Sequence, residues 1–126
     1  MARKVAYWGS TALVALMGAF GAFMYLMGTP EAVEGFRHVG YPQQLRVLLG
    51  IAKLSGAIAL LVPGFPVLKE WAYAGFTFAW IAATLAHYRA GDGAEALMPV
   101  VLLVILSVSY VTRPENRRLR TTAAVA

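Results

Sequence analysis

Lys53 carries the most chemical information in this chain, because it stands near the middle of the apolar run 43–62. An ammonium at bilayer depth costs about 2.5–3.5 kcal/mol on insertion scales, so Lys53 should face a helix-lined interior or a wet cavity. Two readings stand side by side: a lysine that binds an anionic or carbonyl-bearing ligand, or one that snorkels or pairs structurally. Glu70, at the start of the run 68–88, is the acid expected to pair with it. Helix rise puts the two about 10 Å apart along the membrane normal, a gap that side chains or a water can close. The plainer role for Glu70 is interfacial pairing with Lys69 or the basic tail. Glu31 and Glu34 reach Lys53 only if their short segment dips inward. His87, beside Tyr88 and Arg89, has the chemistry to relay protons or to hydrogen-bond a ligand carbonyl, and its plainer reading is a residue among headgroups. Tyr41 and Trp71 complete the five ligand-binding candidates. No reaction follows from these side chains alone.

Several classes of chemistry are excluded or weakened. The chain has no cysteine, which removes thiol catalysis, disulfide exchange and thiolate metal sites. It has two histidines, His38 and His87, which fall on different predicted elements and make a poor metal or haem site. No glycine-rich phosphate loop follows a strand, and no Ser-His-Asp order suits a hydrolase. A proton-coupled multidrug exporter of four spans needs an acid in its first span, and here that span is uncharged. Glu34 and His38 are spaced to pair across one helical turn. The net charge of +5 invites a nucleic-acid reading. Most cations, however, flank apolar runs without interleaved aromatics, so no nucleic-acid partner is expected.

The elements that must position these residues are transmembrane helices. The chain has 126 residues, 60% of them hydrophobic and 13% charged. Soluble domains average about 45–50% apolar and about 25% charged. A single domain of this size cannot hide so much apolar surface from water. A span needs about 20 apolar residues. Four segments qualify, at 5–27, 43–62, 68–88 and 95–112, with a short outer helix at 30–38. The first is too long for a signal-peptide core of about 7–15 residues and reads as a retained span.

Thr29-Pro30-Glu31 offers a cap, a proline and an early acid for the short helix. Gly40-Tyr41-Pro42 ends it, and Pro63-Gly64-Phe65-Pro66 forces a tight turn. Gly91-Asp92-Gly93 breaks the chain before the fourth span. The basic tail after Arg113-Pro114 is expected to be poorly ordered.

The cations set the orientation. With the N-terminus inside, Arg3, Lys4, Lys69, Arg113, Arg117, Arg118 and Arg120 are cytoplasmic, against Arg37, Arg46 and Arg89 outside. The excess predicts an all-α integral membrane four-helix bundle, N-in and C-in, as one transmembrane domain. Tyr7, Trp8, Trp71, Tyr73, Tyr88 and Tyr110 fit interfacial belts, and Trp80 sits deeper and packs. Gly18 with Ala22, Ala52 with Gly56, and the stripe Gly75, Ala79, Ala82, Ala86 permit close helix approach within the bundle or at a homo-oligomer face.

The stretch 41–92 resembles the DoxX-like family of small bacterial membrane proteins. The resemblance rests on Gly40-Tyr41-Pro42 followed by Leu49-Gly50-Ile51-Ala52-Lys53-Leu54, then Ala59-Leu60-Leu61-Val62-Pro63-Gly64-Phe65-Pro66. The most specific run is Leu68-Lys69-Glu70-Trp71-Ala72-Tyr73-Ala74-Gly75-Phe76, with Ala86-His87 before Gly91-Asp92. It implies a four-helix membrane fold in the bacterial cytoplasmic (inner) membrane, multi-pass. The name-giving relatives are membrane subunits of a thiosulfate:quinone oxidoreductase. Others are linked to oxidative-stress complexes, and a distant animal relative is an assembly chaperone for acetylcholine receptors. Relatives often carry an acid after Phe-x-Phe of the third span, where this chain has Ala79, and a serine where it has Ala86. A buried partner for Lys53 is therefore missing at position 79, which weakens any transferred catalytic role.

Three functions compete. The first is a quinone- or lipid-binding subunit associated with membrane redox chemistry, not catalytic alone, with a partner redox subunit supplying electrons and no covalently bound cofactor. The second is a non-enzymatic assembly factor or chaperone that holds a partner membrane protein. The third is a small transporter using Lys53 and Glu70.

Overall fold

A computed structural model describes residues 1–119; Arg120, counted above among the cytoplasmic cations, lies outside them. The described residues form helices and connecting turns. Helix α1 is Ala2–Met27, α2 Pro30–Val39, α3 Gln43–Leu61, α4 Pro66–Arg89 and α5 Leu97–Val111, with 3-10 turns at Gly93–Ala96 and Glu115–Arg117.

Local chemistry sets these boundaries. Gly28 ends α1 in the left-handed region at φ 65°, a conformation that glycine adopts without a Cβ penalty. Thr29 then caps α2, its Oγ1 accepting from the Ala32 amide at 3.2 Å, and Pro30 fills the first helical position. Pro42 precedes α3 in an extended conformation. After α3 the chain reverses through Pro63-Gly64-Phe65, and Pro66 opens α4.

The long helices pack side by side in a ring: α1 lies against α3 and α5, and α4 lies against the same two helices from the other side. The short α2 folds across one end, over α3 and against α1 and α4. Val14, Leu60, Ala72, Tyr73, Phe76, Trp80, Leu102 and Leu106 form the shared core. Outward faces stay apolar: Leu16, Phe20, Phe23, Ile51, Phe78 and Val104 are all more than half exposed. Such surface suits lipid and not water. Ala2–Met27, Gln43–Leu61 and Gly93–Val111 are long and apolar enough to cross a membrane. Helix α4 is long enough at 24 residues but less apolar, because alanine, glycine, threonine, tyrosine and tryptophan fill it.

Two sequence expectations need correction here. Tyr7 and Tyr73 do not stand in interfacial belts; they are 1% and 3% exposed. The hydroxyl of Tyr73 lies 2.7 Å from Ser109 Oγ, which is 2.6 Å from Thr11 Oγ1, so a buried polar chain ties α1, α4 and α5. Nor is the basic segment after Pro114 loose up to residue 119. Arg117 is buried and donates to the backbone oxygens of Leu60 at 2.9 Å and Leu61 at 3.3 Å, with its guanidinium 4.6 Å from the Trp8 ring.

The reason is a general one for helices ending in a low-dielectric setting. The last four carbonyls of a helix lack partners and carry the negative end of its dipole. Here cations supply the missing donors. Arg117 caps α3, Lys69 reaches the following carbonyls of Val62 and Gly64, and Arg46 donates to Tyr25 O at the end of α1. Arg113 Nε reaches Tyr110 O at 2.8 Å at the end of α5. Every buried side-chain nitrogen or oxygen among the described residues has a partner. Arg117→Ala should therefore lower unfolding stability in detergent by about 2 kcal/mol, because two buried carbonyls lose a charged donor. A wild-type unfolding midpoint for that variant would refute the capping role.

Candidate functional site

Where α2 crosses the seam between α3 and α4, the helices enclose a cavity of about 620 Å³. Its wall takes Tyr25 from α1, Glu31 and Phe36 from α2, Tyr41 from the loop, Lys53 from α3 and His87 from α4. The stripe Gly75, Ala79, Ala82 and Ala86 also lines it, so these small residues open space here instead of closing a helix contact. A second cavity of about 330 Å³ continues along the same seam. It shares Leu49, Ala52, Lys53, Gly75 and Ala79 with the first and extends to Leu68 and Trp71. Lys53 therefore stands at the junction of two lobes of one mainly apolar groove, with a few polar groups placed along it, the usual make-up of a small-molecule site.

The lysine is thinly partnered. Its Nζ donates to Tyr25 OH at 3.4 Å and stands 4.6 Å from the centre of that ring, a cation–π distance. The Tyr25 ring is fixed edge-on against Phe36 of α2, with centroids 5.0 Å apart. Gly21 of α1 lies beside it, where a Cβ would stand in ordinary contact, 3.8 Å from Nζ. An ammonium carries three donors, and Lys53 spends one on a long hydrogen bond. Among the described residues no carboxylate lies within ion-pair distance of it.

Glu70 is not its partner, contrary to expectation. The carboxylate turns toward α5, where Oε1 meets Arg113 NH1 at 2.5 Å and Oε2 accepts from Tyr110 OH at 3.1 Å. Arg113 also lies over the Tyr110 ring at 3.7 Å. Geometry explains the choice: α4 is wedged between α3 and α5, and Glu70 emerges on the α5 side. It lines a separate cavity with Tyr73 and Tyr110, away from Lys53.

At the α2 end of the molecule a cluster forms that the sequence did not suggest. His38 was expected to pair with Glu34; instead Glu34 pairs with Arg37 at 2.7 Å. The two histidines, read as belonging to separate elements, meet on one carboxylate. His87 Nδ1 lies 2.6 Å from Asp92 Oδ2, and His38 Nε2 lies 2.6 Å from Asp92 Oδ1. The His87 and His38 hydrogen bonds hold the Asp92 carboxyl below its usual range, and the Asp92 hydrogen bond holds the His38 imidazole above its own. Asp92 thereby ties α2 to the end of α4, above the cavity.

Of the five candidates, Lys53, Tyr41 and His87 share the large cavity, Trp71 borders its smaller lobe with an outward-turned, 68% exposed side chain, and Glu70 stands apart. Tyr25, the residue closest in chemistry to Lys53, escaped sequence reasoning because it lies inside an apolar run of α1. Its spacing of 28 residues from Lys53 has no local signature. Glu31 does reach the cavity wall, because α2 folds inward over α3.

No curated protein and no solved structure matches the chain. A family model does: that of the DoxX-like family, over residues 9–109. That stretch takes in most of α1, all of α2, α3 and α4, and most of α5, including Tyr25, Lys53 and His87. With its apolar helices, the chain belongs to the DoxX-like family of membrane proteins.

Proposed function

We propose that this protein binds an amphiphilic ligand, a quinone or a lipid, in the groove between α3 and α4, as a ligand-holding subunit associated with membrane redox chemistry. The observation that carries the reading is Lys53. A centrally placed ammonium, without a carboxylate partner among the described residues, opens onto about 620 Å³ of mainly apolar space. Charge at that depth is expensive and persists where a ligand or water uses it. A carbonyl or anionic head would accept from Lys53, with Tyr25 and Tyr41 beside it and His87 at the far wall. An apolar tail would run along the small-residue stripe of α4 or out toward Trp71. The described residues offer no redox ligand set of their own, so electrons would come from a partner.

The membrane arrangement belongs to the same proposal. Helix α4 packs along α3 and α5, two elements apolar enough to span, so it crosses the bilayer with them as the fourth helix of a transmembrane bundle. The cation excess at the end carrying residue 1, the α3–α4 turn and Arg113 supports reading that end as cytoplasmic, N-in and C-in, and the family supports a bacterial inner-membrane reading.

Lys53→Met tests the ligand site. Losing a charge-assisted hydrogen bond of about 1.5–3 kcal/mol should weaken ligand retention about tenfold to hundredfold. The empty protein should become more stable, because the insertion penalty of about 2.5–3.5 kcal/mol disappears. Weaker binding with higher stability is the signature of a functional lysine. Unchanged retention of co-extracted lipid or quinone would remove Lys53 from the site.

A further inference from the structure

We propose that His87, Asp92 and Glu95, with His38 hydrogen-bonded behind Asp92, form a binding site for a divalent transition-metal ion of the zinc type. Each residue comes from a different piece of chain: His38 from the last turn of α2, His87 from the last turn of α4, Asp92 from the connection, and Glu95 from the 3-10 turn that leads into α5. The ligand atoms of His87, Asp92 and Glu95 lie within 4.8 Å of one another, while His38 Nε2 stands outside that group, 2.6 Å from the other Asp92 oxygen, Oδ1.

The charge arrangement favours a cation. Glu95 Oε2 lies 3.9 Å from His87 Nδ1, the same nitrogen that Asp92 already engages at 2.6 Å. Two carboxylates converging on one imidazole nitrogen repel each other, and one proton on that nitrogen serves only one of them well. A dication between them would satisfy both. The dimensions also fit. Tetrahedral zinc with ligands at about 2.0–2.1 Å sets ligand atoms about 3.3 Å apart. Among His87, Asp92 and Glu95, the His87–Asp92 separation of 2.6 Å is shorter than that value and the His87–Glu95 separation of 3.9 Å is longer, so a small outward shift of Asp92 and an inward shift of the exposed Glu95 side chain would admit the ion. On binding, each coordinating nitrogen gives up its proton, to the other ring nitrogen or to solvent.

The donor set selects the class of ion. An imidazole with two carboxylates, one of them held by a second imidazole, suits zinc and its neighbours, whereas magnesium and calcium prefer all-oxygen shells. Access is open, since the His38 and Glu95 side chains are 50% and 72% exposed while Asp92, between them, is 11% exposed. A bound ion would clip α2 to the α4–α5 connection and so hold the roof of the cavity. The site stands on its own geometry and does not depend on the ligand proposed for the groove.

The test is isothermal titration of zinc chloride into tag-free, chelator-stripped protein in detergent. One equivalent of zinc should bind, and magnesium should give no saturable heat. His38→Gln and His87→Gln should each weaken binding at least about tenfold, no less than the loss seen when outer-shell partners of metal ligands are removed. Because these two changes also alter the hydrogen bonds to Asp92, Glu95→Gln provides a variant whose exposed side chain makes only the 3.9 Å contact. It should keep the metal-free unfolding midpoint and still bind zinc more weakly. Absence of saturable zinc binding, or wild-type affinity in any of the three variants, would overturn the site.

Discussion

Gly56→Leu is expected to lower unfolding stability by about 2 kcal/mol, within the range for overpacking. The cause is the Phe76 ring of α4, which lies between two glycines of neighbouring helices. A Cβ on Gly56 of α3 would stand 2.9 Å from Phe76 Cε2, and one on Gly18 of α1 would stand 2.8 Å from Cζ. Trp80 stacks against the ring with centroids 5.0 Å apart, so the ring must shift to admit a leucine. Gly56 and Phe76 both border the smaller lobe of the groove, and the same substitution should fill part of that lobe. Gly56→Ala should cost about 1 kcal/mol, since a single methyl asks only a small shift. Denaturant unfolding in detergent measures both, and wild-type stability of the leucine variant would contradict the three-helix clamp.

The second large effect is expected at Glu70. Its pair with Arg113 is mostly removed from solvent, at 25% and 10% side-chain exposure. Glu70→Ala leaves a guanidinium among Tyr73 and Tyr110 with no carboxylate, and breaking a pair of this kind costs about 3 kcal/mol. The double replacement Glu70→Met with Arg113→Met should recover most of that loss, because two well-packed apolar side chains replace a desolvated ion pair at little net cost. A double-mutant cycle over the unfolding midpoints reads the coupling directly. If Glu70→Ala instead weakened ligand retention and left stability unchanged, Glu70 would belong with Lys53 as the sequence suggested.

The contrast between these residues separates what the amino-acid sequence makes legible from what only the folded chain reveals. Helix positions followed from mainly apolar runs punctuated by proline and glycine, which act locally. Thus α2 begins at Pro30 behind its Thr29 cap, and α4 opens at Pro66. That Lys53 should face an interior cavity also followed, because the cost of charge in lipid depends on depth alone. Partner choice did not follow. Glu70 and Lys53 are close enough in sequence for a side chain or a water to bridge them, yet side-chain direction around α4 sends Glu70 to Arg113, 43 residues away. The His38–Asp92 pair spans 54 residues and forms because α2 folds back over the bundle, which no periodicity encodes. The cations near the chain ends were legible as topology signals. Their second role, as donors to helix carbonyls, depends on where the helix ends meet, as Arg117 shows at Leu60 and Leu61. The stripe on α4 was read as permitting close approach within the bundle or at a homo-oligomer face; at Gly75, Ala79 and Ala82 no helix among the described residues closes on it.

The absence of a carboxylate beside Lys53 and the space around it are two sides of one arrangement. Ala79 lines both lobes of the groove, at the position where the resemblance set an expectation that relatives often carry an acid. A side chain there would fill space and neutralise the ammonium. With alanine, the lysine keeps free donors and the groove keeps its volume, which is the basis for reading this site as ligand-binding.

The most direct measurement is native mass spectrometry of the protein extracted gently from its own membranes, with Lys53→Met beside it. A retained small-molecule mass, a quinone or a lipid, that is present on the wild type and depleted on the variant is the predicted result. A wild-type protein that carries no small molecule would contradict the ligand-site account, and one that retains only a partner polypeptide would in addition favour a non-enzymatic assembly factor.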